Sequence, residues 1–561
     1  MKQEIKYLIS LFFIVFGIKL LLSYFIPSIS AFSDEYYYAK MARGFFFNQE
    51  FNIHGIKAMV YPPLYPIVLS ISYIFNDMQI VYFFMKGINA LISTTVIIPI
   101  YLLGKEFMTT KKSILLALLV AVIPSTFSFT QYLMAENLLY PVSITAIYFI
   151  YMAFTHYRTK YFIFAGMFIA FAFLIKLISI ALVALPILFF IAIALIQKSF
   201  LKELFKKTVL LYAVAVSIIL PFILSFGSFF NNSAINGINA FHRRENYAIS
   251  LVNWIVLHWG YIILATGIIF GIFAIVGIIK NYRSNSNEGR LHLLVLITAS
   301  LYVFIASNHT AGGVLYNTPF SFFTGRLNGR YIDVVLPLIF LIGFINFNKY
   351  YDKINKYIIG TSISMLFIAQ LAITPLFPVN NLSLTHIGIF KYIVEFLLFN
   401  KTDFDVVFSW TSFIIIGIAL ALWCLSFIYL KKINFTKLAT IMIIFFTVLS
   451  VSVYAINYYN TKTYWFNGDQ MQMGYFFNSM EKDHKLTVMI DERDCNGKIS
   501  RLDQKTLCEN KISSIVGFFI NENIVVGDPE KEDDYDYVIT RHELDMDIVK
   551  AKNGLYLYKN K

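Results

Sequence analysis

The sequence predicts an all-α polytopic membrane protein of about 13 transmembrane helices, followed by a small extracytoplasmic α/β domain. The chain of 561 residues is 58% hydrophobic and only 14% charged. Its mean hydropathy is +0.66, and apolar segments long enough to cross a bilayer recur along most of its length. Since soluble domains are close to half apolar, no single soluble core could bury this much apolar surface.

Segments of spanning length are predicted throughout the first 457 residues. They lie at 7–26, 80–103, 113–129, 138–155, 161–175, 177–197, 208–226, 259–279, 291–306, 331–347, 357–375, 409–430 and 438–457. With a cytoplasmic N-terminus, the inner loops carry roughly twice as many Lys and Arg residues as the outer loops, as the positive-inside rule requires. The net charge of +13 therefore reflects topology and not nucleic-acid binding. We expect a multi-pass protein of the cell membrane whose C-terminal region is extracytoplasmic.

One apolar stretch, YPPLYPIVLSISYIF at 61–75, does not fit a transmembrane span. It is short and begins with a proline-rich turn, which favours a juxtamembrane or re-entrant segment on the outer side. Counting it as a span would place the lysine-rich loops 105–112 and 198–207 outside, against the charge bias.

The composition changes after Tyr458, where charged residues become dense. Short apolar or alternating runs are predicted as strands at 485–490, 514–519, 523–528, 535–540 and 555–559. We therefore predict two domains, a transmembrane domain at 1–457 and an α/β domain at 458–561. Cys495 and Cys508 lie in the second domain, where a disulfide and two reduced thiols are equally compatible with the sequence.

Ionisable residues gather at the predicted outer face, where they are costly and indicate function. They are Asp34 and Glu35 in FSDEYYYAK, Glu136 in QYLMAENLLYP, Lys176 in FLIKLIS, and Arg326, Arg330, Tyr331 and Asp333 in TGRLNGRYIDVVLP. The drawn topology brings all four segments to one side of the membrane.

A helix beginning at Asp34, with Ser33 as its N-cap, would place Asp34 and Tyr38 on one face and Lys40 on the opposite face. Asp34 would then face an aromatic, membrane-side cavity, with Glu35 at its flank. The alternative is that both acids only favour the helix N-terminus through the helix dipole.

These motifs resemble the GT-C membrane glycosyltransferases, in particular the branch of the protein O-mannosyltransferases and the aminoarabinose lipid A transferase. The resemblance rests on the acidic pair, the YPPLYP element, the acid of the second outer loop and the GRY before a late span. It implies a GT-C fold and transfer of a sugar, with inversion, from a polyprenyl-phosphate-linked donor to a lipid, glycan or protein acceptor on the outer side. The first acid of the pair, here Asp34, is the base proposed for that family. The aminoarabinose branch has a lysine directly before its Pro-Pro, whereas this chain has Tyr61, so Lys57 is a candidate for that phosphate contact.

The residue types suit this chemistry independently. A carboxylate can accept the proton that an attacking hydroxyl loses, and the departing lipid phosphate needs cations rather than a second acid. The predicted catalytic residues are Asp34, Glu35 and Glu136; the predicted phosphate-binding residues are Arg330, Arg326, Lys176, Lys57 and Tyr61; and Tyr38 and Tyr331 are predicted to line the cavity. A divalent metal ion is a candidate cofactor, near Glu136, although the sequence has no CxxC or HExxH motif.

Other interpretations stay open at this point. Lys19 and Lys86 are interpreted as snorkelling to the membrane interface, a role that stays open for Lys176, and His309 is interpreted as an ordinary loop histidine. A flippase for lipid-linked sugars is the alternative function, but the internal repeats common in transporters are missing. An oligosaccharyltransferase is a minor alternative, since TYWFNGD at 463–469 only superficially resembles the WWDYG signature. The sequence specifies neither the sugar, nor the acceptor, nor the length of the carrier lipid.

Overall fold

Helices make up most of the structure, a computed structural model, because a backbone in lipid must satisfy its hydrogen bonds within its own segment. The structure describes residues 2–30, 33–54, 56–57, 59–197, 201–226, 247–311, 328–350, 381–386, 388–389, 393, 396–397, 434–481, 485–491, 512–521, 524–529 and 534–560. The chain forms two compact units. The first consists of Met1–Phe16, Ile92–Phe129 and Glu136–Val453, and the second of Gly17–Leu91, Thr130–Ala135 and Tyr454–Lys561.

In chain order, the helices within the described residues are α1 (Lys2–Tyr24), α2 (Ser33–Asn48), α3 (Leu64–Ser70), α4 (Met78–Thr94), α5 (Ile97–Lys105), α6 (Thr110–Val122), α7 (Pro124–Phe127), α8 (Glu136–His156), α9 (Thr159–Ile175), α10 (Ile180–Gln197), α11 (Lys202–Ser225), α12 (Tyr247–Ala265), α13 (Ile269–Asn281), α14 (Asn287–Ala311), α15 (Leu336–Tyr350), α16 (Phe435–Asn460), α17 (Asp469–Glu481) and α18 (Ile512–Phe519). A π-helical turn, Thr461–Phe466, follows α16 directly.

The predicted multi-pass membrane architecture is confirmed. Within the described residues, nine helical segments are long and apolar enough to cross a membrane, or ten if the bent pair Thr110–Val122 and Pro124–Gln131 is one span. The predicted number of about 13 is not tested, because the predicted spans 357–375 and 409–430 lie outside the described residues. The segment 61–75 forms only a short apolar helix, Leu64–Ile74, as expected for an element that does not span.

The single span predicted at 259–279 is wrong, because α12 ends within it and α13 begins. Gly267 has a φ of +69°, and its N–H donates to the carbonyl of Leu264 (3.1 Å), while the N–H of Ile268 donates to that of Ile263 (2.9 Å). This pair of bonds is a Schellman motif, which ends a helix at a residue in the left-handed region. Hydropathy does not detect such a break because both sides of it are apolar.

A five-stranded sheet forms the core of the C-terminal region. Its strands are β3 (Val488–Asp491), β4 (Ile524–Gly527), β5 (Tyr537–Thr540), β6 (Asp547–Lys552) and β7 (Leu555–Lys559), after the two-residue strands β1 (Asn52–Ile53) and β2 (Ile56–Lys57) of a separate hairpin. The strand order is β4-β3-β5-β7-β6. The predicted small α/β fold is therefore confirmed, whereas the domain boundary at 457/458 stays a prediction. Cys495 and Cys508 lie outside the described residues.

The strand predicted at 514–519 is wrong, since these residues belong to α18. β3 and β4 pair in parallel, so the chain between them must cross over one face of the sheet, and a helix usually makes that crossover. In α18, Val516 packs with Phe477 of α17 and with Ile490 and Ile539 of the sheet. A short apolar run is compatible both with a buried strand and with such a helix.

Candidate active site

Helix α2 carries the acidic pair in its first turn, where carboxylates favour the helix dipole. Asp34 is partly exposed. The phenolic hydroxyl of Tyr61 donates a hydrogen bond to Asp34 Oδ1 at 2.5 Å. Tyr61 stands directly before Pro62 and Pro63, whose rings restrict the backbone leading into α3. Tyr61, which stands where the aminoarabinose branch has a lysine, therefore contacts Asp34.

Tyr38 follows Asp34 on the same face of α2. Its ring stacks on that of Tyr61, with 4.6 Å between the centroids, and meets the ring of Tyr65 edge-on at 4.9 Å. The face predicted from the helical period is thus the face that contacts Tyr61. Tyr38 is 2% exposed, so the structure places it behind Tyr61, and its role in lining a cavity stays a prediction.

Glu35 is buried and bridges two segments of the second unit. One carboxylate oxygen accepts the N–H of Ser30 at 2.9 Å, and the other accepts the N–H of Leu133 at 2.9 Å. Both oxygens thus take backbone donors, which anchors the start of α2 to the turn before it and to the segment 130–135. This arrangement fixes the position of the neighbouring Asp34.

Lys86 does not snorkel to the interface, and that prediction is wrong. It is 1% exposed, and its ammonium donates to the carbonyls of Ser23 (2.7 Å) and Ile26. These carbonyls lie at the C-terminal end of α1, where helical partners run out and a cation is favoured. Lys19 is also buried.

A second cluster, within the first unit, consists of Glu136, Lys176 and Arg330. Glu136 begins α8 and is 1% exposed. Its Oε1 accepts a hydrogen bond from the Lys176 ammonium and lies 3.9 Å from Arg330 Nε. Two cations and one carboxylate leave this cluster with one net positive charge. Both cations keep 16% of their side-chain surface exposed, so they remain accessible to an anion.

The aromatic ring of Tyr331 contacts both cations of this cluster. Lys176 Nζ lies 5.0 Å from the ring centroid, and Arg330 Cζ lies 5.3 Å from it, within the range of cation–π attraction. The ring of His309 meets Tyr331 edge-on at 5.0 Å. His309 is in the last turn of α14, so its interpretation as a loop histidine is wrong.

Neutral residues that the sequence analysis missed hold the segment containing Arg330. Gly329–Tyr331 forms a 3₁₀ turn, and the hydroxyl of Tyr140 donates to the Arg330 carbonyl at 2.9 Å. Asn381 Oδ1 accepts the N–H of Gly329 at 2.9 Å. The buried carboxylate of Asp333, which lies just after this turn, accepts hydrogen bonds from Tyr261 (2.7 Å) and Ser383 (2.9 Å).

The other oxygen of Glu136, Oε2, is buried and makes no hydrogen bond within the described part of the chain. It lies beside a narrow crevice with almost no free volume. The lining residues are Ser93, Ser125, Thr126, Glu136, Asn137, Tyr140 and Pro141. The two cations beside Glu136 disfavour a metal ion at this oxygen.

Two predicted phosphate contacts cannot be located, because Arg326 and the side chain of Lys57 lie outside the described residues. No group of three His, Cys, Asp or Glu side chains in the described ranges is arranged to hold a metal ion. The proposed divalent ion therefore has no such protein ligand set in this part of the chain.

Comparisons with known proteins agree with the fold. The family model of the dolichyl-phosphate-mannose-protein mannosyltransferases matches residues 60–224. The structure is similar to that of ArnT from Cupriavidus metallidurans, at 14% identity and a TM-score of 0.59 in the apo state and at 13% identity and 0.60 when bound to undecaprenyl phosphate. Each comparison covers 99% of this chain and 98% of that chain. No curated protein matches the chain by sequence.

The predicted GT-C fold is therefore confirmed across nearly the whole chain. The fold is that of the GT-C membrane glycosyltransferases, and the family match is limited to residues 60–224.

Proposed function

We propose that the protein transfers a sugar from a polyprenyl-phosphate-linked donor to an acceptor on the extracytoplasmic side, with inversion at the anomeric carbon and with Asp34 as general base. The bound state of one similar structure, ArnT with undecaprenyl phosphate, supports a carrier of this chemical class. The charge bias of the loops supports the extracytoplasmic side.

One contrast among the three candidate acids carries the choice of base. Both oxygens of Glu35 accept backbone N–H groups, and Glu136 is paired with Lys176 and Arg330. These partners occupy both oxygens of Glu35 and one oxygen of Glu136, which leaves less of either carboxylate available to an acceptor hydroxyl. Asp34 is partly exposed and its Oδ1 accepts a hydrogen bond from the Tyr61 phenol, so an acceptor can reach its carboxylate.

The proposed reaction needs only the donor, the acceptor and Asp34. The oxygen of the acceptor hydroxyl bonds to the anomeric carbon while Asp34 takes the hydroxyl proton. The bond from the anomeric carbon to the phosphate oxygen breaks, and polyprenyl phosphate leaves with the electron pair. Lys176 and Arg330 bind the phosphate, whose single negative charge in the donor diester matches the single net positive charge of their cluster.

The test uses purified protein and a panel of polyprenyl-phosphate sugars, with release of polyprenyl phosphate and the anomeric configuration of the product as readouts. Asp34→Asn keeps the size of the side chain but cannot accept a proton. We expect turnover to fall at least ~10²-fold while donor binding stays unchanged. Asp77→Asn is the matched control, because Asp77 is also partly exposed and its Oδ1 also accepts a local hydrogen bond, from the N–H of Gln79.

Two outcomes would reject the proposal. Wild-type turnover in Asp34→Asn, with an inactive Glu35→Gln variant, would show that the wrong carboxylate was chosen. Movement of the lipid between leaflets without sugar-dependent release of polyprenyl phosphate would identify a flippase instead.

A further inference from the structure

A buried lysine joins the acid-bearing helix to the C-terminal sheet domain. Lys40 of α2 is 1% exposed, and its ammonium donates a hydrogen bond to the carbonyl of Ile520. Ile520 directly follows α18, where the last carbonyls of a helix lack intrahelical partners. A cation at this end also interacts favourably with the helix dipole. Lys40 therefore caps a helix that lies 480 residues further along the chain.

The surroundings of Lys40 leave it few other partners for its charge. Burial, together with the nearby Arg43 guanidinium, lowers the pKa of Lys40 well below its usual range, and the Glu481 carboxylate opposes this shift. Glu481 itself accepts the N–H of Asn521 at 2.9 Å. The C-terminal end of α18 is thus bound from α2 by Lys40 and from α17 by Glu481.

Helix α2 makes a second contact with α18 one helical turn before Lys40. Tyr36 and Lys40 are four residues apart and share a face of the helix. An added Cβ on Gly517 of α18 would lie 3.3 Å from the Tyr36 ring, so α18 approaches α2 closely at this point. Asp34 and Tyr38, in contrast, contact Tyr61. Helix α2 is therefore held against α18 on one side and against Tyr61 on another.

We propose that the C-terminal domain fixes the position of Asp34 by holding α2 through Lys40, which makes Lys40 a positioning residue for sugar transfer. This inference rests on the proposed function, in which Asp34 is the base. It gives the C-terminal domain a part in the reaction that its sequence does not indicate.

The first test replaces Lys40 with Met, which has a similar length but no ammonium group. We expect turnover to fall about 10-fold with an unchanged KM for the donor, because a displaced base slows the reaction without weakening donor binding. Lys40→Arg should recover part of the turnover. Thr540→Val is the control, since it removes a buried hydrogen bond to Asp491 (2.7 Å) in the same domain but leaves α2 untouched, and it should keep wild-type turnover.

The second test separates positioning from general destabilisation. If Lys40 acts through Asp34, adding Lys40→Met to Asp34→Asn should cause no further loss of turnover, because the residual reaction does not use the base. A full additional loss in the double variant would overturn the inference. Wild-type turnover in Lys40→Met, with Asp34→Asn inactive, would overturn it and leave the proposed function standing.

A third variant covers the case in which Lys40→Met does not fold. Gly517→Ala keeps Lys40 but places a methyl group 2.8 Å from Ile524 Cδ1, 3.2 Å from His54 Nε2 and 3.3 Å from Tyr36 Cε2, so the side chains around Gly517, including Tyr36 of α2, must shift. We expect a smaller fall in turnover with an unchanged donor KM. Wild-type turnover in this variant would contradict the inference.

Discussion

Tyr61 and Asp34 form a hydrogen bond between side chains 27 residues apart, with the phenol donating to Oδ1 at 2.5 Å. The bond joins the proline-rich segment before α3 to the first turn of α2. Tyr61 was predicted among the phosphate-binding residues, and that role stays a prediction. Its hydroxyl already has a defined use, which is to orient the carboxylate that we propose as the base.

Tyr61→Phe removes this hydroxyl and keeps the ring that stacks on Tyr38. We expect turnover to fall roughly 5- to 10-fold with an unchanged donor KM, because Asp34 loses a hydrogen bond that orients it. Steady-state kinetics would measure the effect. Tyr65→Phe is the matched control, since it removes a hydroxyl that donates to Asn89 at 2.9 Å; an equal loss in both variants would point to general loosening of the aromatic cluster.

Lys176→Met should destabilise the protein by about 3–5 kcal/mol, because it deprives the buried Glu136 carboxylate of its main partner. Lys176→Met combined with Glu136→Gln should regain most of this stability, yet its donor KM should stay raised because one of the two cations is gone. Thermal unfolding and donor titration would separate the two effects. Lys206→Met breaks the exposed pair with Glu203 and should change neither. A double variant as unstable as Lys176→Met would contradict the ion-pair account.

Gly329→Ala should destabilise the protein by roughly 2 kcal/mol or more and raise the donor KM. An added Cβ would lie 2.1 Å from the Tyr261 ring, so Tyr261 would have to leave Asp333 and the 3₁₀ turn carrying Arg330 would move. Gly17→Ala is the control, because its Cβ would meet nothing within 4 Å. The prediction fails if both variants unfold at the wild-type temperature and bind donor equally well.

We predict that the C-terminal domain is accessible to reagents added outside the cell. A single cysteine at Ala551, which is exposed on β6, would be introduced after the three native cysteines are changed to serine. Position 551 leaves intact the Asn553–Gly554 turn, which needs positive φ at both residues. We expect a membrane-impermeant maleimide to label intact cells. Labelling only after the membrane is broken would reverse the predicted topology.

The sequence predicted features that depend on local periodicity. The four-residue spacing of Asp34 and Tyr38 placed both on one face of α2, and both contact Tyr61. Hydropathy likewise predicted most spans, but it could not detect the break at Gly267, which depends on backbone conformation. The sequence also suggested that Glu136 and Lys176 lie on the same side of the membrane, although their ion pair depends on how α8 and α9 pack.

Contacts between distant segments were beyond such patterns. Tyr261, Ser383 and Asn381 are neutral, and nothing in their spacing distinguishes them from other polar residues. Asn381 nevertheless binds the turn that contains Arg330, and Tyr261 and Ser383 bind Asp333 just after it. Lys86 resembles an interfacial lysine until the end of α1 is known to lie beside it. Partners of this kind are set by the tertiary fold, and a single sequence carries no periodic signal for them.

The bond between Lys40 and Ile520 also orders events during biosynthesis. The ribosome makes α2 early but reaches Ile520 only 480 residues later, about 25–100 s at ordinary elongation rates. Until then the ammonium of Lys40 lacks the carbonyl that receives it, and α2 lacks this one of its anchors. With the proposed role of Lys40, a nascent chain already inserted in the membrane would hold Asp34 without this anchor until Ile520 had been translated.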